Sequence, residues 1–143
     1  MFIAIILSTL LVMLTFYFHY WILMWISRFI ISKNRNKYKS ISVLITILFL
    51  FTAHLAEIGV YAFAYHESVE NMGLGTLKGL NLHETISYLY FSCVTYTSLG
   101  VSDIYPEGYI RVIAGIETLN GLLLIGWSAS YTFLIMKRFW SWE

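Results

Sequence analysis

Residues 2–27 contain no Asp, Glu, Lys or Arg. This run of 26 residues constrains the fold more than any other feature of the chain. As a helix rising 1.5 Å per residue it is about 39 Å long. The hydrocarbon core of a bilayer is roughly 30 Å thick, so the run can cross with tilt. A cleaved signal peptide does not fit, because no basic stretch precedes the run and the run is too long. A second apolar run covers 40–65 and is broken only by His54 and Glu57. A third covers 109–136 and carries Arg111, Glu117 and Asn120. The whole chain of 143 residues is 12% charged, about half the ~25% of soluble domains. Its single Cys excludes an intramolecular disulfide and a Cys-based metal centre. The net charge of +1 gives no sign of nucleic-acid binding.

Charge orients the three spans. Arg28, Lys33, Arg35, Lys37 and Lys39 crowd one short connection without an acid among them, and Lys137 and Arg138 follow the third span. The positive-inside rule places both in the cytoplasm and the N-terminus outside. The segment 66–106 then lies outside, and it carries Glu67, Glu70, Glu84 and Asp103 against Lys78 alone. Within it, the 14 residues 86–99 are apolar but too short to span, which fits a re-entrant segment. Trp21, Trp25, Trp140 and Trp142 fall near the cytoplasmic boundary, the ordinary place for interfacial anchors.

After the short apolar segment comes Thr95-Tyr96-Thr97-Ser98-Leu99-Gly100-Val101-Ser102-Asp103-Ile104-Tyr105-Pro106. A short helix running inward points its partly negative C-terminal end at the membrane interior, which favours a cation. Irregular backbone at that depth must be buried in protein or line a watery path. The stretch resembles the pore loop of the potassium channel superfamily, Thr-x-Thr-Thr-Val-Gly-Tyr-Gly-Asp-x-x-Pro. Thr95, Thr97, Gly100, Asp103 and Pro106 match outright, Ser98 stands for Thr and Leu99 for Val. Tyr90-Phe91 occupy the place of that family's pore-helix aromatic pair, and His-x-x-Glu at 54–57 and Glu-x-x-Asn-Gly at 117–121 resemble its small bacterial members.

The resemblance implies an all-α integral membrane fold of three transmembrane helices plus a re-entrant pore helix and filter loop, assembled as a homotetramer. Its divisions are an extra N-terminal helix and basic loop (1–39) and a pore domain (40–143). The pore domain comprises an outer helix (40–65), an extracellular segment (66–82), a pore helix (83–97), a filter (98–103) and an inner helix (107–138). It implies a channel, not an enzyme, in a bacterial plasma membrane. Its partners are lipid and its own copies, without nucleic acid, organic substrate or cofactor beyond the permeant ion. K⁺ would pass through Thr97, Ser98, Leu99, Gly100, Val101 and Ser102, with ions held at Ser98, Leu99 and Gly100.

The family's Tyr-Gly is Val101-Ser102 here. Ser in a left-handed conformation costs roughly 1–2 kcal/mol more than Gly, and Val101 lacks the bracing phenol. Fewer dehydrating oxygens imply weaker K⁺ over Na⁺ discrimination. The alternatives are a non-selective or Na⁺-permeable channel, and a non-conducting subunit with a degenerate filter.

The remaining polar residues each carry two readings. His54 and Glu57 share a helix face, as a proton or metal sensor or as a structural pair. A membrane enzyme or metalloprotein using His54, Glu57, His66 and His83 is a further class. Glu117 and Asn120 read as struts to the pore helix through Ser92 or Thr95, with burial favouring a neutral Glu117. Asp103 reads, by the resemblance, as concentrating cations at the pore mouth or bracing the filter through Tyr90, or else as a solvated turn carboxylate. Gly121 is a hinge or a close-packing position, and Leu123, Ser130 and Tyr131 are cavity candidates by offset. Cys93 reads as packing in the pore helix. The first span is expected outside the second, facing lipid, with no role for His19. No span carries a ladder of basic residues for voltage sensing, and no gating domain is expected after Arg138.

Overall fold

The computed structural model describes residues 1–31, 39–79, 86–100 and 103–140. Helix α1 covers Phe2–Trp25 and continues as a π-helical turn over Ile26–Ile31. Next come α2 (Lys39–Glu70), strand β1 (Gly75–Gly79), the short α3 (Ile86–Tyr96), strand β2 (Ile104–Gly108) and α4 (Ile110–Trp140). Three helices are long and apolar enough to cross a membrane, and α3 is the short element between the second and third. The fold is an all-α integral membrane architecture with one small addition.

That addition is an antiparallel sheet in which β1 pairs with β2, from Gly75 opposite Gly108 to Gly79 opposite Ile104. The segment expected as a plain extracellular connection (66–82) thus pairs with the chain that follows the loop after α3. The sheet also shortens the expected last helix. Residues 104–108 are strand, so α4 starts at Ile110 rather than 107. At the other end, α2 outruns the expected limit of 65 because 66–70 contains neither Gly nor Pro. It stops where Gly73 turns left-handed (φ +59) and Leu74 N–H bonds the Ser68 carbonyl at 2.9 Å.

Helix α1 departs from its expected place on the lipid side of α2. It packs on both α2 and α4, burying Ala4, Ser8, Leu11, Thr15, His19, Leu23 and Ile26 along one face. Small and polar side chains are what this seam needs. Lipid tails are as apolar as Leu, so helices in a bilayer associate through close packing and hydrogen bonds. The Ser8 and Thr15 hydroxyls fold back onto the carbonyls of Ala4 (2.7 Å) and Leu11 (2.9 Å), which keeps the seam narrow. Ile3, Leu10, Met13 and Tyr17 stay exposed on the other side, as lipid-facing residues do.

Candidate functional site

The site begins at the end of α3. Ser98 N–H bonds the Thr95 carbonyl (3.1 Å) and Leu99 N–H bonds the Val94 carbonyl (3.1 Å). This pair of bonds is a Schellman cap, and its left-handed position is Ser98, at φ +53. Gly normally fills that position. Gly100 follows at φ +69. The carbonyls of Ser98, Leu99 and Gly100 take no part in the cap, and all three residues are exposed in the protomer. The Thr97 hydroxyl donates back to the Cys93 carbonyl at 2.8 Å. Val101 and Ser102 lie outside the described residues, as do His83, Glu84 and most of the basic connection.

Helix α4 holds this loop from behind. A Cβ on Gly121 would lie 2.2 Å from the Tyr96 carbonyl oxygen and 2.9 Å from its carbon. The glycine is therefore a close-packing position, where the α4 backbone meets the last residue of α3. Beside it, Thr118 Oγ1 donates to the Thr95 carbonyl at 3.1 Å.

Among the described residues, four polar rungs tie the helices α1, α2, α3 and α4 together. Their order along α2 runs opposite to that along α4, so the two helices are antiparallel. In the first rung the Glu117 carboxyl lies 2.6 Å from Ser92 Oγ, with the Tyr65 hydroxyl on its other oxygen. Ser92 Oγ also lies 2.9 Å from the Ile58 carbonyl. Ser92 thereby links α3 to both α2 and α4. Glu117 on α4 and Ser92 on α3 are thus joined by a hydrogen bond. Asn120 departs from expectation: in the second rung its amide donates to Thr15 Oγ1 (2.8 Å) and Tyr61 OH (3.0 Å), reaching α1 and α2 instead of α3.

The third rung closes a ring. Glu57 Oε1 meets His19 Nδ1 at 2.8 Å and Oε2 meets His54 Nδ1 at 3.1 Å. Both remaining imidazole nitrogens converge on Ser128 Oγ, at 3.0 Å each. The Tyr96 hydroxyl joins from α3, bonding Glu57 Oε2 and lying 2.9 Å from His54 Nδ1. Glu57 and His19 are fully buried. In the fourth rung Tyr131 OH bonds Ser27 Oγ (2.7 Å) and faces the Leu23 carbonyl (3.2 Å).

Several expected placements change. Tyr131 turns to α1, so offset from the loop misjudged its face as a cavity lining. Leu123 and Ser130 are exposed in the protomer, which leaves their expected place on a cavity unchanged, and Ser130 bonds back to the Gly126 carbonyl at 2.9 Å. Cys93 is exposed in the protomer. Asp103 and Tyr90 are both exposed, and no hydrogen bond joins them among the described residues. His66 stands against Tyr88 (ring centroids 5.4 Å apart), not beside His54 and Glu57. His19 takes the place that His66 and His83 were given in the metalloprotein alternative. Its signal was available in the sequence: Ser8, Thr15 and His19 repeat at helical spacing in an otherwise apolar run.

On the sheet side, Lys78 Nζ pairs with Glu107 at 2.9 Å, which holds the lysine above its ordinary value. Tyr88 donates to Glu70 at 2.8 Å, and burial and that carboxylate push its phenol up to about 12. A family model described as "Ion channel" matches residues 53–138. The chain belongs to this ion channel family. The matched span runs from the second half of α2 through α3 and the sheet to the end of α4. It therefore contains every element of the loop site, while α1 stands outside it. Comparison with curated proteins and with solved structures gives no significant match. The ion channel is an integral membrane protein whose matched domain points to cation transport, not to enzymatic turnover.

Proposed function

We propose that the protein is a homotetrameric K⁺-conducting channel with weak discrimination against Na⁺. It sits in a bacterial plasma membrane with its N-terminus outside and its C-terminus in the cytoplasm. The observation that carries this reading is the capped end of α3. It leaves the Ser98, Leu99 and Gly100 carbonyls outside the helix hydrogen bonds, on an exposed side of the protomer, with two left-handed residues in succession of three. One loop cannot enclose an ion path, and a closed ring of copies around an axis is the economical way to do so. The negative end of α3 then faces the axis, and the carbonyls replace part of the ion's hydration shell. The inner filter is built by Thr97, Ser98, Leu99 and Gly100, while Val101 and Ser102 replace its outer, more discriminating half. Asp103 concentrates cations at the mouth.

Purified protein in planar bilayers tests this reading. Unitary cation currents, with cross-linking that progresses to four chains, are the expected result. Silent bilayers would instead identify a non-conducting subunit, and cross-linking that stops at two chains would remove the tetramer.

A further inference from the structure

We propose that His19, His54, Glu57 and Tyr96 form a binding site for one divalent transition-metal cation of the zinc class. The site lies between α1, α2 and α3, with Ser128 of α4 behind it. The donor atoms of His19, His54 and Glu57 all lie within 4.8 Å of one another. His19 Nδ1 and His54 Nδ1 approach opposite oxygens of the same carboxylate, at 2.8 and 3.1 Å. The Tyr96 oxygen is the fourth donor in reach, 2.9 Å from His54 Nδ1.

These separations are close to those of an occupied tetrahedral site. Zn–N and Zn–O bonds of roughly 2.0–2.2 Å place neighbouring ligands about 3.4 Å apart. The donors stand 2.5–3.1 Å apart, so they need to spread by about 0.3–0.9 Å to reach that geometry. The donor chemistry also selects the metal class: two imidazoles and a carboxylate suit Zn²⁺ and its neighbours, while K⁺ and Ca²⁺ take oxygen ligands.

The second observation is Ser128. A metal-bound imidazole nearly always donates its other N–H to an acceptor that fixes the ring. Here both Nε2 atoms point at one oxygen, at 3.0 Å each. A hydroxyl oxygen has two lone pairs and accepts both. When both Nδ1 atoms carry metal, both Nε2 atoms carry hydrogen, and Ser128 satisfies the pair. The outer shell of a two-histidine site is therefore already in place.

Placement gives the site a consequence. His54 lies at the middle of α2, and Tyr96 is the residue directly ahead of the loop that carries Thr97 and Ser98. An occupied site would join α1 to the base of the filter. The inference does not depend on which ion the pore conducts, and a channel of either selectivity gives the same titration.

The test uses the full chain in detergent, stripped with chelator, with Zn²⁺ and Co²⁺ as probes. One Zn²⁺ per chain retained through gel filtration is expected, together with the intense visible absorption of four-coordinate Co²⁺. His19→Ala and His54→Ala should each lose more affinity than the roughly 10–100-fold that removing an outer partner costs. Ser128→Ala should fall within that 10–100-fold range. His66→Ala, which removes a histidine outside the cluster, should bind as the parent does. The Co²⁺ spectrum of the unmodified chain tests the site even where a variant misfolds. Absence of retained Zn²⁺ and of that spectrum in the unmodified chain would overturn the proposal. Loss of binding in His66→Ala would also overturn it.

Discussion

Replacing Gly121 by Ala asks whether α4 and the end of α3 truly meet backbone to backbone. The added Cβ would stand 2.2 Å from the Tyr96 oxygen, 2.9 Å from its carbon and 3.0 Å from the Cγ of its ring. A flexible side chain could swing away, but the nearest two obstacles are main-chain atoms. Either α4 or the last turn of α3 must shift by about 1 Å to restore contact distance. Overpacking a close-packed site costs roughly 1–3 kcal/mol, and a backbone obstacle puts this case near 3. Thermal unfolding of the detergent-solubilised protein reads the cost, at roughly 2–4 °C per kcal/mol for a chain of this size. Gly126→Ala is the control. Nothing lies within 4 Å of that position, so gaining a Cβ should be neutral or stabilising by up to about 1 kcal/mol. Because Tyr96 leads directly into the loop proposed as the filter, Gly121→Ala should also alter unitary conductance. A Gly121→Ala protein with unchanged stability and unchanged currents would refute the contact. Unchanged stability with altered opening and closing would point to a hinge instead.

Other substitutions test the remaining contacts. Ser98→Gly removes left-handed strain worth roughly 1–2 kcal/mol and returns about 0.4–1 kcal/mol of freedom to the unfolded chain, so thermal stability should rise by the difference, on the order of 1 kcal/mol. Glu117→Gln leaves Ser92 a hydrogen-bonding partner and should unfold within about 1 kcal/mol of the parent, whereas Glu117→Leu orphans the Tyr65 hydroxyl and should cost about 1–3 kcal/mol. Glu107 holds Lys78 above its ordinary value, so their pairing is complete at neutral pH and is lost only as rising pH passes the raised lysine value. The stability difference between Glu107→Gln and the parent should therefore be small near neutrality, shrink further in high salt and vanish in strong alkali.

The three spans were legible because apolar runs of such length, with few charges, have few other folds. The contact between Glu117 and Ser92 was legible too, since a polar pair three residues apart on a spanning helix must find a partner. The place of His19 was not. A lone histidine in an apolar run gives no partner of its own, and its ring partners come from α2 and α4, far away in the chain. The heptad-like repeat of Ser8, Thr15 and His19 held that information, because lipid does not reward polar residues at such spacing. Tyr131 shows the opposite error. Distance along α4 from the loop gave its depth but not its face, which the hydroxyl contacts with Ser27 and Leu23 decide. The sheet was hidden because β1 is five residues bounded by glycines, with no apolar alternation to mark it.

The central claim is that this loop passes cations through a proposed filter in which Val101-Ser102 stand in place of Tyr-Gly. The reversal potential with K⁺ on one side of a bilayer and Na⁺ on the other tests it most directly, with Val101→Tyr/Ser102→Gly measured alongside. The parent should reverse close to zero, and the double variant should move toward the K⁺ potential. A parent that already reverses near the K⁺ potential, or one that passes anions, would contradict the account.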